Sequence, residues 1–237
     1  MVTKPLDDMQ QYLVEMRDAC VDTAVVEATS HGLELHRLDG VEFDIGVVTN
    51  VTREHLDFHG TVENYRRAKG GLFRRVSDAK TLGKRGIVAI NVDDEGARSL
   101  EPFAGDCRII RYSVAGDSSA QVNASQIVSD ALGAKFILST DSDSLPVSIR
   151  LPGSYNVANA LAAAAAGVAL DLSADVIARG LESLAAVPGR MEAVDEVLAV
   201  VATQVRDDRR GLTAQWVWRG SPVRTDVDRQ LLCPVEP

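Results

Sequence analysis

Residues 27–69 read EATSHGLELHRLDGVEFDIGVVTNVTREHLDFHGTVENYRRAK, and their pattern decides the fold. Two short apolar runs frame the polar residues. Val25-Val26 leads into Glu27, and Phe43 to Val48 leads into Thr49-Asn50. Each run is β-branched and followed by polar side chains, as in a buried parallel strand whose carboxyl end opens on a site. Ligands of open α/β sheets collect at those ends. The spacing predicts strands at 23–28 and 43–49, with Glu27 and the segment Asn50 to His59 facing one crevice. An acid, four histidines and a lysine around two neighbouring strand ends suggest a metal or phosphate site.

Outward from this stretch, strand and helix patterns alternate. Leu6, Met9, Leu13, Met16 and Ala19 keep helical spacing, which predicts a helix over 6–20 with one buried stripe. Thr61 has the chemistry of a cap, Glu63-Asn64 suit a first turn, and Lys69 falls in the middle of the helix they begin. Apolar strands follow at 86–92 and 108–114, and the alternation implies a parallel sheet with flanking helices. Residues 121–128, 134–140 and 145–151 then alternate without helices between them, which predicts a small antiparallel sheet. Asn156 to Leu170 is an alanine-rich helix, and Ser173 caps another that ends near Ala186. After Glu196 no clear helical or strand period remains, although both tryptophans lie there.

Composition narrows the function. The 237 residues suffice for one large α/β domain, or a domain with part of another, and 46% apolar residues is ample for a core. A net charge of -9 argues against a nucleic-acid surface, so any phosphate site must be locally positive. Cys20, Cys107 and Cys233 lack metal spacing and read as reduced thiols of a cytosolic protein. No signal peptide is expected, and the apolar run 158–169 is too short to span a bilayer.

NVTREHLDFHG followed by ENYRRAKGGLF resembles the central-domain signature of the Mur ligases. EATSHGLELHRLDG is similar to the E-V-S-S-H-x-L-x-x-x-R-V-x-G segment of the MurE-type members, and the resemblance runs from about Thr3 to about Glu196. It implies a partial central, ATP-binding domain over 1–190 and a hinge with an aberrant or divergent tail over 191–237. The implied activity is ATP-dependent ligation in cytoplasmic peptidoglycan precursor synthesis. An amino acid joins UDP-MurNAc-L-Ala-D-Glu through an acyl-phosphate, with Mg²⁺ offsetting the repulsion between carboxylate and polyphosphate.

Matching the family's motifs residue by residue implies a site. Glu27 would bind one magnesium ion and His55 another, Glu54 standing where an aspartate is usual. Lys69 would be carbamylated by CO₂, turning a cation into a metal-binding anion. Thr29, Ser30 and Arg37 would contact the muramoyl-dipeptide, and Asn156, Asn159 and Arg190 the nucleotide. Without the resemblance blander readings stand. Glu27 could pair with an arginine, Lys69 could face solvent on a basic helix, and Asn156 could be an ordinary cap. His55 and His59 have spacing that could suggest zinc, but no thiols support it. His59, His31 and His36 read as structural.

The sequence holds no Gly-rich loop followed by Lys-Ser or Lys-Thr, the element that cradles ATP phosphates in this family. The expectation is a chain that starts inside the central domain, is inactive alone, and leaves apolar strand edges open. The tail is expected to be frameshifted or otherwise aberrant. Two other readings are a non-catalytic module holding a sugar nucleotide or a partner, and a half-enzyme complemented by a separate fragment carrying the phosphate loop.

Overall fold

The computed structural model describes residues 6–52, 56–184, 201–207 and 211–217. These fall into two units, 1–187 and 188–237, each taken by itself.

The first unit is built on one six-stranded sheet. β1 (Ile45–Val48), β2 (Ile87–Asn91) and β3 (Arg108–Ser113) pair in parallel in that order. β1 and the first four residues of β2 are apolar on both faces because both faces are covered. Val88 and Ile90 of β2 pack with Phe73 and Val76 of α4 (Val62–Lys80). Ile87 and Ala89 point the other way, into a cluster with Leu161, Ala164 and Ala165 of α6 (Ser154–Ala169). Alanines make α6 a strong helix former and let it lie close across β1 to β5.

The antiparallel strands continue this sheet. β4 (Val122–Ser129) pairs parallel to β3 through Tyr112↔Val122 and Ser113↔Asn123. β5 (Ala134–Ser139) and β6 (Ser144–Ile149) then run antiparallel in turn. The expected small sheet is thus joined edge to edge with the parallel one. Since β4 overlaps only the last two residues of β3, the meander projects past the carboxyl ends of β1 to β3. β6 runs in the direction of β3, so α6 starts at that same end. Its other end is tied at the amino side of β2, where Arg85 donates to Ala169 O at 3.2 Å.

The shorter elements complete the unit. α1 (Leu6–Asp18) forms as expected, but Met9, Leu13 and Met16 are half-buried and Ala19 lies beyond it, exposed. α2 (Ser30–Glu34) and α3 (Leu56–His59) precede α4, α5 (Glu95–Arg98) follows β2, and α7 (Ala174–Ser183) is capped by Ser173.

Two expectations require correction. Residues 23–28 form no strand: they pair with nothing in the sheet, and Val25 is 93% exposed. β-branched residues favour a pleated, half-buried surface, and without a neighbouring strand there is none to join. The tail, read as lacking a strand period, contains β7 (Val201–Asp207) paired antiparallel with β8 (Gly211–Val217). The alternation Val201, Thr203, Val205 was its local signal.

Candidate active site

At the carboxyl ends of β1 to β3 the connecting loops are tied to one another by side chains. Asn91 donates to Thr49 O at 2.9 Å, and Tyr112 reaches across from β3 to donate its hydroxyl to Val48 O at 2.8 Å. Asp94 caps α5, accepting from Ala97 N, and also accepts from Val51 N at 3.0 Å. Asp93 accepts from the Ser113 hydroxyl at 2.6 Å and from the amides of Val114 and Ala115. Burial, with Asp94 and Asp93 adding repulsion, pushes the Tyr112 phenol far above its ordinary range, so it stays a donor.

Against this rim stand α2, α3 and α4. Thr29 caps α2, its hydroxyl accepting from Gly32 N at 3.0 Å, and Ser30 is buried. The His31 ring lies 4.1 Å from Phe58 and 5.6 Å from His59. His59, buried, is 5.4 Å from the Tyr65 ring, and Lys69 Nζ sits 5.4 Å over that same ring. Thr61 caps α4 by accepting from Asn64 N, and Tyr65 and Lys69 stand about one turn apart on that helix. A continuous row of rings thus connects the Thr29–Ser30 segment to Lys69.

The other sequence-predicted residues fall as follows. Glu27 is exposed on the unpaired segment, four residues before His31. Arg37 is half-buried just after α2, where His36 takes a φ of 57° and its Nδ1 lies 3.0 Å from Asp39. Asn156 and Asn159 stand in the first turns of α6. There Asn156 donates to Pro152 O at 2.7 Å, and Asn159 donates to Asn156 Oδ1 at 3.2 Å. His55, Glu54 and Arg190 lie outside the described residues. No group of three His, Cys, Asp or Glu among the described residues is close enough to hold a metal ion. What these offer a hard cation is the Glu27 carboxylate. The Lys69 amine fits such a site only once converted to an acid.

Sequence reasoning gave no role to Tyr65, Asp93 or Asp94. The doublet Asp93-Asp94 directly after an apolar strand was the available signal for the loop ties.

The Mur ligase middle domain profile matches residues 6–167. A UDP-N-acetylmuramoyl-L-alanyl-D-glutamate–2,6-diaminopimelate ligase of Bacillus velezensis is 39% identical over 187 residues, covering 79% of this chain and 38% of that protein. The protein of the same name from Geobacter metallireducens is 40% identical over 189 residues, covering 79% and 36%. A solved structure bearing that ligase name superposes with a TM-score of 0.61 at 31% identity, over 79% of this chain and 35% of the other. The chain therefore spans well under half the length of these relatives.

Proposed function

Because this chain belongs to the Mur ligase family, we propose that it carries the metal- and dipeptide-facing part of a MurE-type ligase site. The reaction would be ATP-dependent amide formation between an amino acid and UDP-MurNAc-L-Ala-D-Glu in the cytoplasm. What supports this reading best is the row His31–His59–Tyr65–Lys69, which sets the lysine of α4 beside the Thr29–Ser30 segment.

In this mechanism the substrate carboxylate takes the γ-phosphoryl group of ATP, and the incoming amine displaces phosphate to leave an amide. Arg37 would orient a substrate carboxylate through its planar fork. Ser30 and Thr29 would add hydroxyl contacts. Glu27, His55 and carbamylated Lys69 would hold magnesium, whose charge offsets repulsion between the reacting anions. Lys69 would be carbamylated only as a neutral amine, so its ammonium proton must leave first. Asn156, Asn159 and Arg190 would face the nucleotide.

The test is complementation. The chain is mixed with a separately expressed fragment carrying a Gly-rich phosphate loop, then given ATP, magnesium, UDP-MurNAc-L-Ala-D-Glu and either diaminopimelate or lysine. Amide product is expected from the mixture and not from the chain alone, and Lys69→Ala should reduce it to background. Product that is indifferent to Lys69→Ala would remove the assigned site. Tight sugar-nucleotide binding with no product in any mixture would favour the non-catalytic module instead.

A further inference from the structure

Positive charge is concentrated on α4 and the turn after it. Residues 64–85 hold eight of the 25 Lys and Arg but one of the 34 Asp and Glu, in a chain of net charge -9. Much of that charge is answered on the spot. Arg75 pairs with Asp39, Lys84 with Asp44 at 3.9 Å and Arg85 with Asp171 at 2.5 Å, while Lys80 donates to Asp106 O at 2.5 Å. Arg67 and Arg74 have no carboxylate within ion-pair reach among the described residues.

Both guanidinium groups are nevertheless held. Arg67 donates to Asn64 Oδ1 at 2.7 Å. Arg74 folds back to donate to Arg67 O at 3.2 Å and lies 5.1 Å over the Phe103 ring. Each guanidinium keeps N–H donors beyond these bonds for a ligand. Between α2 and α4 they border a groove of about 290 Å³, with Ala68 and Gly71 beneath and Leu33 and His36 opposite. A methyl added at Gly71 would meet only Arg74 Nη2, at 3.9 Å, so the space above that glycine is open.

We propose that this groove binds a small phosphate-class oxyanion between Arg67 and Arg74, at a site separate from the ligase centre. Arg67, Gly71, Arg74 and Asp78 follow one helical stripe, whereas Lys69 lies about 200° around α4 from Arg67. Glu34 and Asp78 also line the groove and limit the ligand to a compact anion. A long polyanion such as nucleic acid would meet both carboxylates.

Calorimetric titration of the full chain with inorganic pyrophosphate, in magnesium-free buffer, tests this. One saturable site is expected. Arg67→Gln and Arg74→Gln should each weaken it about tenfold, the scale of one charge-assisted hydrogen bond. Gly71→Leu, which fills the groove without altering charge and favours the helix, should abolish binding. Arg17→Gln, on α1, should change nothing. Binding that does not saturate, is as tight in either arginine variant as in the unmodified chain, or survives Gly71→Leu would overturn the proposal. Circular dichroism establishes that each variant is folded.

Discussion

A methyl group added at Gly96 would fall 2.1 Å from the carbonyl oxygen of Val51, whereas one added at Gly71 would find its nearest neighbour at 3.9 Å. The same substitution should therefore act in opposite directions. Gly96→Ala must push the loop after β1 away from α5, and should cost about 1–3 kcal/mol as overpacking does. Gly71→Ala should add about 0.5–1 kcal/mol by removing a mid-helix glycine. Urea denaturation of the two variants checks both signs. Single residues also set the alkaline limit. Burial raises the Cys107 thiol despite the lowering effect of its hydrogen bond to Ser77 and of Lys80, and burial raises Tyr112 further. Both pKa values are higher folded than unfolded, so the folded chain retains protons that the unfolded chain gives up. Their contribution is full below the unfolded values, roughly 8.5 for cysteine and 10 for tyrosine, and is lost as pH rises beyond them. Melting temperature should fall from about pH 8.5 upward, and Cys107→Ala should delay that fall toward pH 10. An unchanged profile in Cys107→Ala would show that the thiol is not responsible.

Helix α4 was legible because its signals are local: a threonine cap and an acid in the first turn. Thr61→Ala should cost about 1 kcal/mol in chemical denaturation by removing the bond to Asn64 N. Strand signals are only half local, since a ladder needs a partner from elsewhere. That is why Val25-Val26 read as a strand and yet stands outside the sheet. It is also why the link of β3 to β4, carried by two residue pairs, could not be seen in the alternation of 121–128. The two edges of the sheet differ in kind. On β6, Pro146 offers no N–H, and Ser148 N is already donated to Glu182 Oε1 at 3.0 Å. Such devices keep an edge from recruiting another chain. Glu182→Ala should cost about 1 kcal/mol and make the chain self-associate with rising concentration, which sedimentation velocity would detect.

At the scale of the molecule, one sheet separates two cores, so neither can be damaged alone. Phe73, at 0% exposure, anchors the α4 side and Leu161, also at 0%, the α6 side. Phe73→Ala and Leu161→Ala should each cost about 3–5 kcal/mol. Each should still unfold the first unit in a single transition, with coincident fluorescence and circular dichroism curves. The candidate site was legible as residue types and spacing, but distance had to come from the fold. Thr29, Ser30 and Lys69 are connected by the rings of His31, His59 and Tyr65, and Glu27 is exposed on the unpaired segment that leads into α2. Direction in this sheet is finally a question of parity. Two reversals, at 130–133 and 140–143, cancel, so the chain leaves β6 heading as it left β3. Relatives that gain or lose a whole hairpin here would keep Asn156 on the same side of the sheet, while a lone extra strand would send it to the opposite side. The two turns of the meander are therefore where this architecture can accept new sequence in pairs of strands without rewiring its centre.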